Sequence, residues 1–209
     1  MRYPLNNFIY ENHNHNLKSS IYNSSIKKMI FRKIKLFIDN PDEKFTSFYN
    51  YDEVSYDSGF FWNCQFIIKI IDECPYKGGK FLFSFQFPKK NIYNKPPKIE
   101  LSNKIYHPNF KGEENCILYD CNEGNFFAPK KPHYHPRKLK ALMENWFIFN
   151  NINESLNLIY SLIIDPSLEE GDIINKECAE LMKENKNEYE KIAEEWTQEY
   201  DSSDIYDDY

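Results

Sequence analysis

One thiol, Cys116, stands a few residues beyond a stiff corner that carries an amide, His107-Pro108-Asn109. Pro108 has φ fixed by its ring and drives His107 out of the helical region, so the three residues predict a non-helical turn. A short loop, Lys111-Gly112-Glu113-Glu114-Asn115, then leads to the thiol. A cysteine becomes a useful nucleophile when its thiolate is reachable and a fixed donor stabilises the charge developing on an attacked carbonyl. Asn109 offers such a donor, and the rigidity of the corner is what an oxyanion donor requires. The chemistry these residues could carry is attack of the Cys116 thiolate on a carbonyl.

The flanking sequence supplies elements to position them. Ile26, Met29, Ile30, Ile34, Phe37 and Ile38 recur at helical spacing after Ser24-Ser25 and before Asn40-Pro41, which predicts a first helix with a basic outer face. Asp42 to Ser58 reads as an irregular loop. Phe60–Ile71, Phe81–Phe87 and Ile99–Ile105 are aromatic and β-branched, predicting three or four antiparallel strands, with Lys77-Gly78-Gly79-Lys80 as a turn. Asn151 or Asn153 caps a helix through Ile163 that Asp165-Pro166 ends, and Asn175 opens one final helix reaching Tyr200. Cys178 falls on the buried side of that helix, and Cys64 and Cys74 belong to the sheet region.

Composition narrows the class. A chain of 209 residues with 41% hydrophobic and 17% aromatic content suits one folded domain with extensions. Neither a secretory signal nor an apolar run long enough to span a bilayer is visible. Five cysteines at irregular spacings argue for reduced thiols and a cytoplasmic or nuclear location. The net charge of −6 gives no reason to expect nucleic-acid binding, and no membrane partner is indicated. Residues 1–20 read as a flexible extension, 21–200 as the folded domain, and 201–209 as an acidic tail.

Tyr76-Lys77-Gly78-Gly79-Lys80-Phe81-Leu82-Phe83-Ser84-Phe85, Lys95-Pro96-Pro97-Lys98-Ile99 and Tyr106-His107-Pro108-Asn109 together resemble the ubiquitin-conjugating enzymes. The resemblance resumes at Trp146 and runs through Asp165-Pro166 into the last helix, and its wording is most similar to the branch that conjugates the Rub/Nedd-type modifier. It implies an α+β fold of the UBC type, with an N-terminal helix, a four-stranded antiparallel meander and C-terminal helices. It further implies that Cys116 accepts a ubiquitin-like modifier from an activating enzyme as a thioester and passes it to a substrate lysine, with a ligase present. The Nedd-type modifier is favoured and ubiquitin comes next. No bound metal or other cofactor is implied, the ATP being used by the activating enzyme. Asn109 matches the family's motif residue, Glu170 falls where many members place an acid that helps position the lysine, and His107, Pro108 and Trp146 are structural. Lys27, Lys28, Arg32 and Lys33 on the first helix, with Leu5 and Phe8 in the extension, are the residues expected to meet the activating enzyme.

Three departures from the family pattern stand out. The interval from Asn109 to Cys116 is one residue shorter than usual. Cys116 is followed by Ile117-Leu118-Tyr119-Asp120 rather than Leu-x-Ile-Leu, which leaves Cys121 as a second candidate acceptor. Cys121 to Asn145 is a basic insertion directly beyond the thiol, where some members carry acidic ones. Two alternatives to an active carrier therefore stand: an inactive conjugating-enzyme variant serving as a binding module, and a structural metal held by Cys116, Cys121, His133 and His135.

Overall fold

The computed structural model describes residues 32, 44–48, 60–88, 95–120, 136–146 and 148–201. Met1–Leu36 and Phe37–Tyr209 are separate units. Of the first, only Arg32 is described, helical and exposed. The first helix as a whole, Leu5, Phe8, Lys27, Lys28 and Lys33, the extension 1–20 and the tail beyond Asp201 lie outside the described residues.

The second unit is built on an antiparallel meander in sequence order: β1 (Phe45–Phe48), β2 (Phe60–Lys69), β3 (Lys80–Pro88), β4 (Lys98–Leu101) and β5 (Cys116–Tyr119). The expected α+β meander is present, extended by the short β5 that the thiol opens. Strand β1 falls in the stretch expected to be irregular. Its four residues, Phe45-Thr46-Ser47-Phe48, are too few to show a period among polar neighbours, and pairing with β2 sets their conformation.

Strand β3 is buried on both faces from Phe81 to Phe85, and its phenylalanines fill one of them. Phe81, Phe83, Phe85 and Phe87 are all fully buried, each contributing about 1.5–3 kcal/mol relative to exposure. Phe66 of β2 meets Phe85 edge-to-face at 5.0 Å. The β2–β3 turn needs glycine twice over. Gly78 has φ +86, and a Cβ on Gly79 would stand 2.6 Å from Thr197 Cγ2.

Helices α1 (Arg137–Glu144), α2 (Ile148–Ile164), α3 (Lys176–Glu184) and α4 (Lys186–Tyr200) follow. Helix α1 lies in the segment expected to be an inserted loop. It is folded, with Leu139 and Met143 buried one turn apart, and it packs on α2 and β5. Helix α2 begins a turn before the expected caps and ends before Asp165-Pro166 as expected. Its stripe of Ile152, Leu156, Ile159, Tyr160 and Ile163 is buried. The single final helix expected from Asn175 is two helices. Asn175 caps α3 by accepting from Cys178 N, but Asn185 leaves the helical region at φ −143 and accepts from Glu188 N to start α4.

Helix α4 is tied to the sheet side by polar bonds as well as packing. The Tyr76 hydroxyl donates to the Tyr106 carbonyl (2.7 Å), so the Tyr189 hydroxyl of α4 donates to Tyr76 (2.6 Å). Asn103 accepts from Leu82 N (2.7 Å) and donates to the Tyr200 carbonyl (2.8 Å). In this chain of hydroxyls, Tyr189→Phe removes one bond, whereas Tyr76→Phe removes both and strands two partners. Urea unfolding at unchanged slope should give losses of about 1 kcal/mol and about twice that, respectively. Equal losses, or a larger one for Tyr189→Phe, would contradict this order.

Candidate functional site

The corner comes first. His107, Pro108 and Asn109 are buried, and Nδ1 of His107 accepts from the Asn109 backbone N–H (3.0 Å), closing the turn on itself. That bond assigns the imidazole proton to Nε2, which is directed at the Ile163 and Leu162 backbone at the end of α2 but meets no acceptor at full hydrogen-bond geometry among the described residues. Packed between Tyr76 (centroids 5.3 Å) and Phe110 (4.7 Å), the ring has its pKa pushed down by burial to about 3. His107 is therefore a neutral, buried group of the corner.

The Asn109 side chain directs both its donors and its oxygen at one loop. Nδ2 donates to the Ser167 carbonyl (2.7 Å) and the Asp172 carbonyl (2.8 Å), and Oδ1 accepts from Ser167 N (2.9 Å). The Pro108 carbonyl adds two more bonds, from Ile174 N (2.8 Å) and Asn175 N (2.9 Å). Both amide protons expected to serve an oxyanion are thus donated to backbone carbonyls. The corner holds residues 167–175 as a template holds a strand, through backbone polar groups. Glu170 is exposed in the middle of that loop, next to Gly171, whose φ is +92.

Cys116 opens β5, paired with Leu101 of β4 and preceded by Asn115 at φ +55, a left-handed residue that asparagine tolerates. The side chain is 5% exposed. Burial is the largest cause pushing the thiol above its ordinary range. The Lys111 backbone N–H and the Lys111 charge pull it back, while Glu113 and Glu100 push further. Lys111 thus brings both a donor and a cation toward the sulfur, a role not assigned from sequence. A single lysine in a polar loop carries no signal of it.

The residues matched by the general description of ubiquitin-conjugating enzymes run from 29 to 197. The chain belongs to the ubiquitin-conjugating enzyme family. A solved structure described as "Crystal structure of a putative ubiquitin conjugating enzyme from Plasmodium yoelii" superposes with a TM-score of 0.61, at 23% identity, over 84% of this chain and 94% of that one. At that identity the likeness speaks for the fold, the UBC-like α+β arrangement. Family membership implies work with a ubiquitin-like modifier, an activating enzyme and a ligase.

In this conjugating-enzyme fold, Trp146 is buried between α1 and α2, its backbone N–H donating to the Met143 carbonyl (3.2 Å). Its indole N–H has no partner among the described residues. Cys121, His133 and His135 lie outside the described residues, so of the alternative metal set only Cys116 is placed. No group of three or more metal-ligating side chains occurs among the described residues. Sequence reasoning also passed over Ser167 and Asp172. Asp172 is 2% exposed, yet in sequence it is one of three acids in a polar loop.

A neutral buried His107 makes stability depend on acid. Its native pKa lies below the ordinary 6.5, so its contribution is complete above pH 6.5 and is lost as pH falls toward 3, at about 1.4 kcal/mol per unit. His107→Leu, though less stable at neutral pH, should show a shallower fall between these limits in denaturant titrations. An identical slope in both proteins would remove His107 as the cause.

Proposed function

We propose that the chain is an active conjugating enzyme carrying a ubiquitin-like modifier on Cys116. The Cys116 thiolate attacks the glycyl carbonyl of the activating enzyme's thioester, and the activating enzyme's thiolate leaves. A substrate lysine, neutral at attack, then adds to the Cys116 thioester; the amide forms, Cys116 leaves as thiolate, and the amine proton passes to a base. Glu170, exposed on the loop that the corner holds, is the carboxylate proposed to position the lysine or receive that proton. The chain itself needs no bound metal or cofactor for these steps, ATP being consumed by the activating enzyme. The Nedd-type modifier is preferred and ubiquitin comes next, on the wording of the sequence. The setting is cytoplasmic or nuclear.

The observation that carries the reading is the placement of Cys116 at the head of β5, with the Lys111 N–H at its sulfur and the loop 111–115 leading from the buried corner. Oxyanion donation by Asn109 would require its amide to release one of the carbonyls it now serves. Its first contribution is thus to hold the Glu170 loop. Lys27, Lys28, Arg32 and Lys33, with Leu5 and Phe8 of the extension, are the proposed contacts to the activating enzyme.

Charging tests this directly. Purified protein is incubated with ATP, an activating enzyme and its cognate modifier, either ubiquitin or the Nedd-type one, and run on gels with and without reductant. Wild type and Cys121→Ala should form a reductant-sensitive adduct that Cys116→Ala does not, with the Nedd-type modifier giving the faster reaction. Adduct retained in Cys116→Ala and lost in Cys121→Ala would move the acceptor. No adduct with either modifier would establish the inactive binding module instead.

A further inference from the structure

The carboxylate of Asp172 is buried and serves two segments far apart in sequence. Oδ1 accepts from the backbone N–H of Arg137 (2.6 Å), the first residue of α1, and Oδ2 accepts from the Ser167 hydroxyl (2.8 Å). The backbone of the same residue accepts from Asn109 Nδ2 and donates to the Glu169 carbonyl (3.0 Å). Asp172 is therefore where the corner, the loop 167–172 and α1 meet.

Each partner has a physical reason to be there. The first amides of a helix lack partners within it, and the residue before α1 is Pro136, which makes no side-chain cap bond. Asp172 supplies the missing acceptor from 35 positions away, and its charge suits the positive end of the helix. The Arg137 guanidinium lies along Gly171, so close that a Cβ there would stand 2.8 Å from Nε, and at φ +92 a side chain is disfavoured regardless. Glu170 is thus carried on a loop closed on one side by Asn109 and on the other by α1. Helix α1 in turn packs on β5, the strand that Cys116 opens.

We infer that Asp172 is a positioning residue for the transfer to lysine, holding the Glu170 loop in register with the thiol through Arg137 N and Ser167 Oγ. The inference rests on the conjugating reading above. It separates the two half-reactions. Charging needs the thiol and the face that meets the activating enzyme, whereas aminolysis also needs the lysine placed, and small displacements there cost rate steeply.

Position 137 gives an unusually clean variant. Proline is at home in the first position of a helix, and the preceding Pro136 is already extended at ψ 130, so Arg137→Pro removes the N–H while keeping the helix. Arg137→Ala removes the side chain and keeps the N–H. Full-length proteins are charged, freed of the activating enzyme, and discharged in single turnover either with free lysine or with a small thiol.

Arg137→Pro and Asp172→Ala should discharge to lysine about tenfold more slowly or worse, with charging and small-thiol discharge unchanged; Arg137→Ala, which loses the contact with Gly171 but keeps the N–H, should discharge to lysine faster than Arg137→Pro. The lysine defect should appear in the maximal rate and not in the concentration for half-saturation. If Asp172→Ala proves too unstable to purify, Arg137→Pro, which leaves the carboxylate in place, decides alone. Unchanged lysine discharge in Arg137→Pro, or equal slowing with lysine and the small thiol, overturns the assignment while leaving the carrier activity intact. Failure of wild type to charge overturns the conjugating reading, and this assignment with it.

Discussion

The primary amide of Asn109 is the constraint on which the site depends. It sits fully buried, and a buried amide whose bonds are unmet costs about 1–3 kcal/mol per group, so its two donors and its acceptor must find partners in one conformation of the loop. Those partners are the Ser167 carbonyl, the Asp172 carbonyl and the Ser167 N–H. The preceding Pro108 lends its carbonyl to Ile174 N and Asn175 N. Five bonds from two adjacent residues thus set the path of the chain between α2 and α3, and with it the place of Glu170. A corner of this kind can be stiff without help, because Pro108 fixes its own φ and His107 Nδ1 takes the Asn109 N–H.

The thiol's surroundings follow a different logic. Burial and two nearby carboxylates raise the pKa of Cys116, and Lys111 opposes them. A thiol of raised pKa is sparsely ionised, but its thiolate is intrinsically the stronger nucleophile and the poorer leaving group. In the carrier role proposed for Cys116, that combination favours holding the acyl group over losing it to a casual amine. Release then depends on geometry, on a lysine brought to the right place, which is the task proposed for the loop that Asn109 and Asp172 hold.

Much of this was legible in the sequence, and the reason is local chemistry. The alternating phenylalanines of β3, the glycine pair of the β2–β3 turn and Asn175 as a cap are signals whose cause lies within a few residues. So is the stop at Asp165-Pro166. What escaped depended on distant partners. Strand β1 exists through pairing with β2. The break at Asn185 is a competition between continuing a helix and capping a new one, which periodicity does not display. Helix α1 carries two buried apolar residues in eight, too faint a stripe to stand out in a basic segment. Asp172 looks like any loop acid until the unpartnered amide at the start of α1 is seen beside it. The amide of Asn109 was legible as a rigid donor, but the identity of its acceptors was not.

The claim that Asn109 holds the loop is tested most directly by amide hydrogen exchange, measured by nuclear magnetic resonance, in wild type and Asn109→Ala. The account predicts that the Ser167 amide, which donates to the lost oxygen, exchanges freely in the variant, and that Ile174 and Asn175 lose part of their protection, while the amides of β2 and β3 keep theirs. Protection at Ser167 unchanged by the substitution would show that the loop holds its own course, and the corner would lose its place at the centre of the site.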